Sequence, residues 1–298
     1  MILPHLFRQG AVARSLLHAA GRALTQTAPK ALSAGNTSAI RQRIEPRHRQ
    51  LIADYVRHVG GDRRTYQRTL PPHFFPQWLV PLQGELLSSL PYPMHRVLNA
   101  GGRFLLSEPL PAQQSLEASA QIDTIDDDGR RARITLRCTT GPRTDPERLI
   151  AFLDLYVPLA ETGRSEHDVK QATQKQRKAY LVPSHARELH RYRFRPRGAR
   201  RFVALTGDIN PIHWLPAAAR AAGFRNVIQH GYSTMAQAYE TILRGVFAGQ
   251  PSAMQEFSFQ FTRPLVLPAS PKLFVDRPTR RYWLADGIGC KAYSLGSY

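Results

Sequence analysis

"TGDINPIHWLPAAARAAGFRNVIQHG" occupies Thr206 to Gly231, and its reading decides the fold. Asn210 precedes Pro211. A proline ring clashes with helical geometry in the residue before it, so residues 208–213 are held extended or turned. Pro216 then suits the first turn of a helix, where its missing N–H loses no partner. The Ala-rich run that follows stops at Gly223, a natural residue just past a helix end. His213 therefore precedes a helix, with Asp208 earlier on the same tight loop. An imidazole there is suited to accept a proton or hold a water, and the carboxylate can reach the same water. Taken alone, the pair would be an Asx turn and a cap. His230-Gly231 adds a second feature, because Met235, Tyr239, Ile242 and Val246 then recur at helical spacing as a core face. Gly245 or Gly249 ends that helix. The unpaired N–H groups at its start can bind a developing oxyanion, and Gly231, lacking a Cβ, admits a carbonyl oxygen close to its N–H.

Outward from this stretch, the chain reads as two halves with one order of elements: a helix-like apolar segment, then strands. In the first half, residues 45–70 read as a helix followed by a turn at Gly60-Gly61. The segment 70–93 carries Pro71, Pro72, Pro76, Pro81, Pro91 and Pro93, a density at which no long regular helix is expected. Leu116–Ile125 and Arg131–Thr139 flank Asp128-Gly129 as a hairpin, and residues 148–159 read as a further strand. Residues 161–180 are polar and charged, the best candidate for a linker. In "HRYRFRPRGARRF", Arg191, Arg193 and Arg195 alternate with Tyr192 and Phe194 at the strand period, one face basic and one aromatic. Residues 254–276 and 280–295 read as antiparallel strands.

The chain has 298 residues, 42% of them hydrophobic, enough for one large or two small domains with a real core. No run of 18 apolar residues predicts a membrane-spanning helix. Cys138 and Cys290 form neither a metal spacing nor a disulfide framework, which suits a reducing compartment. The expected location is cytoplasmic. A net charge of +19 favours anionic partners without choosing among them. Residues 1–45 form a basic leader, partly disordered or helical, with Arg8, Arg14, Arg22, Lys30, Arg41 and Arg43 but no acid before Glu45. Such a leader suits a mitochondrial presequence or a peripheral membrane contact as well as a passive tail. A nucleic-acid binder is suggested by charge alone, no binding motif supports it, and no nucleic-acid partner is expected.

The string Thr206–His213, the Ala-rich run ending in Gly223-Phe224, and Ile228-Gln229-His230-Gly231 together resemble the MaoC-like dehydratases, the (R)-specific enoyl-CoA hydratases of the hot-dog fold. "LPYPMHRVL" (90–98) and "FTRPLVLPAS" (261–270) are similar to segments of the double-hot-dog members. The resemblance implies an α+β double hot-dog, two antiparallel sheets each wrapped around a central helix. The N-terminal unit, 46–160, would be degenerate, and the C-terminal unit, 181–298, catalytic. It implies reversible hydration of a trans-2-enoyl thioester to the (3R)-hydroxyacyl thioester, carried by coenzyme A or acyl carrier protein, in a monomer of two hot-dogs or a homodimer. Asp208 and His213 would activate the water, Asn210 order the loop, and the Gly231 N–H bind the thioester oxygen. His230, Tyr232, Ser233, Arg225 and Arg263 would contact substrate. No metal and no other cofactor is implied. The chain departs from the pattern at Ala236, where the single-domain enzymes carry Ser, at Tyr232, where Met is usual, and at Leu215, often acidic.

Other motifs carry less. "HARELH" (185–190) lacks the zinc-protease spacing, "GIGCKA" (287–292) is followed by too little chain for a dinucleotide fold, and no G-x-S-x-G elbow occurs. The arginines at 191, 193, 195, 200 and 201 read as solvated surface, or as attraction for the phosphates of coenzyme A or for an acidic carrier protein.

Overall fold

The computed structural model describes residues 38–93, 96–159 and 180–298. Its strands form one antiparallel sheet of ten, in the order β1-β3-β4-β5-β2-β7-β10-β9-β8-β6. The first half contributes β1 (Ile40–Ile44), β2 (Leu98–Leu106), β3 (Leu116–Asp127), β4 (Arg131–Gly141) and β5 (Leu149–Pro158). The second contributes β6 (Arg187–Arg191), β7 (Glu256–Phe261), β8 (Lys272–Asp276), β9 (Arg281–Ala285) and β10 (Ser294–Ser297). The halves meet where β2 pairs with β7, from Gly101 opposite Gln260 to Leu105 opposite Glu256. Each half wraps its own buried helix, α2 (Pro76–Leu87) in the first and α5 (Gly231–Val246) in the second. This is the expected double hot-dog.

The hairpin at Asp128-Gly129 and the strand after it form as anticipated. Three segments depart from the sequence reading. The proline-rich segment does hold a helix: Pro76 occupies the first position of α2, where it costs nothing, and only Pro81 falls inside. One lost backbone bond is outweighed by burying Trp78, Leu79, Leu82 and Leu86 under the sheet, and the Trp78 indole N–H donates to Thr140 Oγ1 at 2.9 Å. Residues 40–44, assigned to the leader, are instead the edge strand β1, because Ile40 and Ile44 reach the core while Arg41 and Arg43 face water. The alternating stretch 191–195 is a strand only at its start, and it leads into the helix α3 (Pro196–Thr206), started by Pro196 and burying Ala199, Phe202, Val203 and Leu205. Tyr192 and Phe194 are buried and the arginines between them exposed, so the alternation was real, but only Arg191 of these lies within β6. The leader before residue 38 and the linker up to residue 179 lie outside the described residues. No described helix is long and apolar enough to cross a membrane.

A buried ion pair ties the halves together. His73, from a turn of 3-10 helix (Pro72–Phe74), meets Glu240 of α5, Nε2 to Oε1, at 2.9 Å. His73 is 0% and Glu240 1% exposed. The Tyr55 hydroxyl, on α1 (Arg49–His58), lies 2.9 Å from His73 Nδ1 and donates to the His73 carbonyl, also at 2.9 Å. That carbonyl can only accept, so the hydroxyl proton is spent there and His73 Nδ1 must carry its own. One further proton then lies between Nε2 and the carboxylate.

Candidate active site

α3 delivers the loop. Its C-terminal residue Thr206 is followed by Gly207 at φ 79°, a left-handed cap that a side chain would strain. Asp208 follows, half-buried, and the Asn210 amide N–H points at Asp208 Oδ1 at a loose 3.4 Å. Asn210 is exposed, and its Oδ1 accepts from the Ile212 amide at 3.3 Å, so it orders the turn with its own side chain. Pro211–His213 is a turn of 3-10 helix, after which α4 (Pro216–Ala221) begins. His213 is carried inward, to 9% exposure.

His213 Nδ1 lies 2.9 Å from the Ile228 carbonyl, which can only accept, so Nδ1 holds the ring proton and Nε2 keeps its lone pair. His213 and His230 stack with ring centroids 3.7 Å apart and planes 25° from parallel. Ligand atoms of Asp208, His213 and His230 all lie within 4.8 Å of one another. His230 is fully buried, and its ring nitrogens make no hydrogen bond of ordinary geometry, with only the Asp208 backbone in loose reach. Burial, then the adjacent His213 ring, hold it well below the usual imidazole range. It is an uncharged polar wall. A carboxylate and two imidazoles are a familiar donor set for a transition metal. Imidazoles bind metals along in-plane lone pairs, however, and stacked rings aim those pairs side by side rather than at one point. The arrangement suits a hydrogen-bonded water better.

Behind the stack lies α3. Phe202 packs on His230 at 4.9 Å and on His58 of α1 at 6.0 Å. Burial, with Arg201 beside it, pushes His58 down to about 4. In front lies the start of α5. No side chain caps this helix, so its first amides remain available. A Cβ on Gly231 would come within 2.7 Å of the Phe261 ring. The glycine is thus required by an aromatic packed on its Cα, a reason the sequence reading did not anticipate.

The other sequence candidates divide. Tyr232 is buried at the seam between the halves, edge-on to Phe75 of the first half at 5.8 Å and to Phe259 of the second at 6.1 Å. Ser233 is 0% exposed and its Oγ accepts from Gln237 Nε2 at 3.2 Å, so it braces the helix rather than facing a substrate. Arg263 pairs with Asp286 at 3.1 Å and lies 3.7 Å over the Tyr293 ring, and Arg225 is exposed near the same tyrosine. Both arginines therefore belong to a surface platform with Tyr293. The Ile228 carbonyl, Phe202, His58 and Phe261 went unread: a backbone carbonyl has no sequence signature, and the others became neighbours only through packing.

With an Asp and a neutral-edged His converging beside a helix start on a double hot-dog, likeness to known proteins can be weighed. Residues 167–272 match the family model described as "MaoC like domain". That stretch of the chain is similar to a MaoC-like domain. Over 83 residues it is 41% identical to 3-hydroxyacyl-thioester dehydratase X of Mycobacterium tuberculosis, a stretch covering 28% of this chain and 28% of that relative. Over 57 residues it is 40% identical to the peroxisomal enoyl-CoA hydratase 2 of Arabidopsis thaliana, covering 19% of this chain and 18% of that one. The matched stretches thus span less than a third of either relative. In three dimensions the likeness extends across both halves. The crystal structure of HtdX from M. tuberculosis superposes with a TM-score of 0.67 at 18% identity, over 87% of this chain and 98% of that one. A MaoC-like dehydratase from Phytophthora capsici gives 0.66 at 15% identity, over 89% and 96%. These structural likenesses establish the fold, a double hot-dog, and the stretch that matches the family model falls in its second half.

Proposed function

We propose that this protein hydrates trans-2-enoyl thioesters, and dehydrates (3R)-hydroxyacyl thioesters, with a water held by Asp208 and His213. The observation that carries this is the convergence of the Asp208 carboxylate with the unprotonated edge of His213, next to the uncapped start of α5. Two relatives bear names for the same chemistry, a dehydratase of 3-hydroxyacyl thioesters and an enoyl-CoA hydratase. In hydration, the water oxygen bonds to C3 as one of its protons passes to His213 Nε2. The C2–C3 π pair moves into the thioester, and the resulting enolate oxygen is met by the Gly231 N–H. A proton returned to C2 completes the addition, and the reverse sequence expels water. Asn210 keeps the loop in shape, and His230 faces the water as a neutral partner. The thioester is carried by coenzyme A or acyl carrier protein.

The test is turnover of crotonyl-CoA by the purified chain and by Asp208→Asn and His213→Ala. General acid–base help is typically worth ~10²–10⁴-fold, so each variant should lose about that much in kcat while retaining its fold. Equal, negligible turnover by all three proteins would instead mark a chain that binds thioesters without transforming them.

A further inference from the structure

We propose that Tyr232 is the acyl-side specificity residue of this site: its ring closes the interior end and restricts the substrate to short-chain 2-enoyl thioesters. The inference rests on the hydratase reading above and goes on to name the substrate class.

The carrier of a thioester is too large to be buried, so it must lie on the solvent side of the reacting carbons. That side is marked by Asn210, Pro211, Trp214 and Leu215, all exposed. An acyl chain therefore runs the other way, past Gly231 and into the seam between the two halves. Tyr232 is the next side chain on α5 in that direction. Helical Cα–Cβ bonds tilt toward the N terminus, so its ring leans back over the helix start rather than away from it. The ring is buried and braced on three sides: Phe75 at 5.8 Å, Phe259 at 6.1 Å and Phe261 at 6.3 Å, all edge-on. Phe261 is itself packed against Gly231. An unbranched side chain such as Met could flex aside for a longer substrate, whereas an aromatic locked among aromatics in a close-packed interior cannot.

The hydroxyl adds a second barrier. It is buried, with the Asn99 side chain within loose hydrogen-bonding reach, and burial pushes its ionisation well above the ordinary tyrosine range. A methylene chain drawn past this oxygen would displace the Asn99 side chain from it without replacing the polar contact, a cost a short acyl group avoids.

The experiment compares kcat/KM for trans-2-decenoyl-CoA with that for crotonyl-CoA in the wild type, Tyr232→Phe, Tyr232→Met and Tyr232→Ala, with circular dichroism as the check on folding. The wild type should prefer crotonyl-CoA, since a hydrophobic pocket discriminates roughly tenfold or more per misfitting methylene. Tyr232→Ala should raise the long-to-short ratio at least about tenfold, with Tyr232→Phe between it and the wild type. Should the Ala variant not fold, the same rise is required of Tyr232→Met. A wild type that takes decenoyl-CoA as readily as crotonyl-CoA, or a ratio unmoved in the folded variants, overturns the inference and leaves the hydratase reading standing. A wild type inactive on both substrates overturns the two together.

Discussion

Removing the carboxylate of Glu240 should loosen the joint between the two halves, and the size of the effect follows from its surroundings. His73 and Glu240 are 0% and 1% exposed, and their 2.9 Å contact spans 167 positions of sequence. The Tyr55 hydroxyl is committed to the His73 carbonyl, so His73 Nδ1 is protonated and Nε2 shares a single proton with Glu240. In Glu240→Ala that nitrogen loses its one partner, in a site without water access, and the emptied volume adds a cavity. Breaking a buried pair from one side typically costs about 3–5 kcal/mol. At ~2 °C per kcal/mol for a chain of this size, Tm should fall by about 6–10 °C. Glu240→Gln should cost only about 1–2 kcal/mol, because its amide N–H can still donate to the unprotonated Nε2. Urea unfolding followed by far-ultraviolet circular dichroism would measure both variants, and a cycle with His73→Ala would isolate the coupling. If Glu240→Ala unfolds within about 1 kcal/mol of the wild type, or if Gln is as damaging as Ala, the shared-proton account is wrong.

Other outcomes follow from the site. Gly231→Ala should lose about 1–3 kcal/mol of stability and most of the turnover, since the new Cβ meets the Phe261 ring at 2.7 Å; trimming that ring with Phe261→Leu in the same chain should restore stability, as a melt would show. His58, held at about 4 against an ordinary 6.5, binds its proton in the unfolded chain before the folded one. Its contribution is therefore intact above pH 6.5 and is lost as the pH falls from there to about 4, reaching about 3 kcal/mol. His230, also lowered, adds in the same direction. Tm measured across pH 4–7 should accordingly fall less steeply in His58→Gln than in the wild type, and identical slopes would refute the assignment.

The loop that carries the candidate site was legible because its geometry is local. A proline fixes the residue before it, another starts a helix, and Gly223 follows its end, so Asp208 and His213 could be brought to one loop from spacing alone. The strand run and the hairpin at Asp128-Gly129 were legible for the same reason. What escaped depended on distant chain. Pro81 reads as a helix breaker until the sheet that buries Trp78 and Leu82 is present. The helix α3 went unread because its buried residues, Ala199, Phe202, Val203 and Leu205, are interleaved with Arg197, Arg200 and Arg201. The tautomer of His213 turns on a carbonyl that any residue could have supplied. The role of Gly231 turns on Phe261, which β7 brings from later in the chain.

Both margins of the described sheet are occupied by short strands with charged side chains facing water. β1 shows Arg41 and Arg43 to solvent, and β6 shows Arg187, Glu188 and Arg191, with a register shift between Glu188 and His190 that interrupts its pairing line. Edge strands invite growth by main-chain pairing unless repulsion or irregularity prevents it. Shortness, charge and the register shift each make these rims poor templates, so lengthening of the sheet from molecule to molecule is opposed at either end.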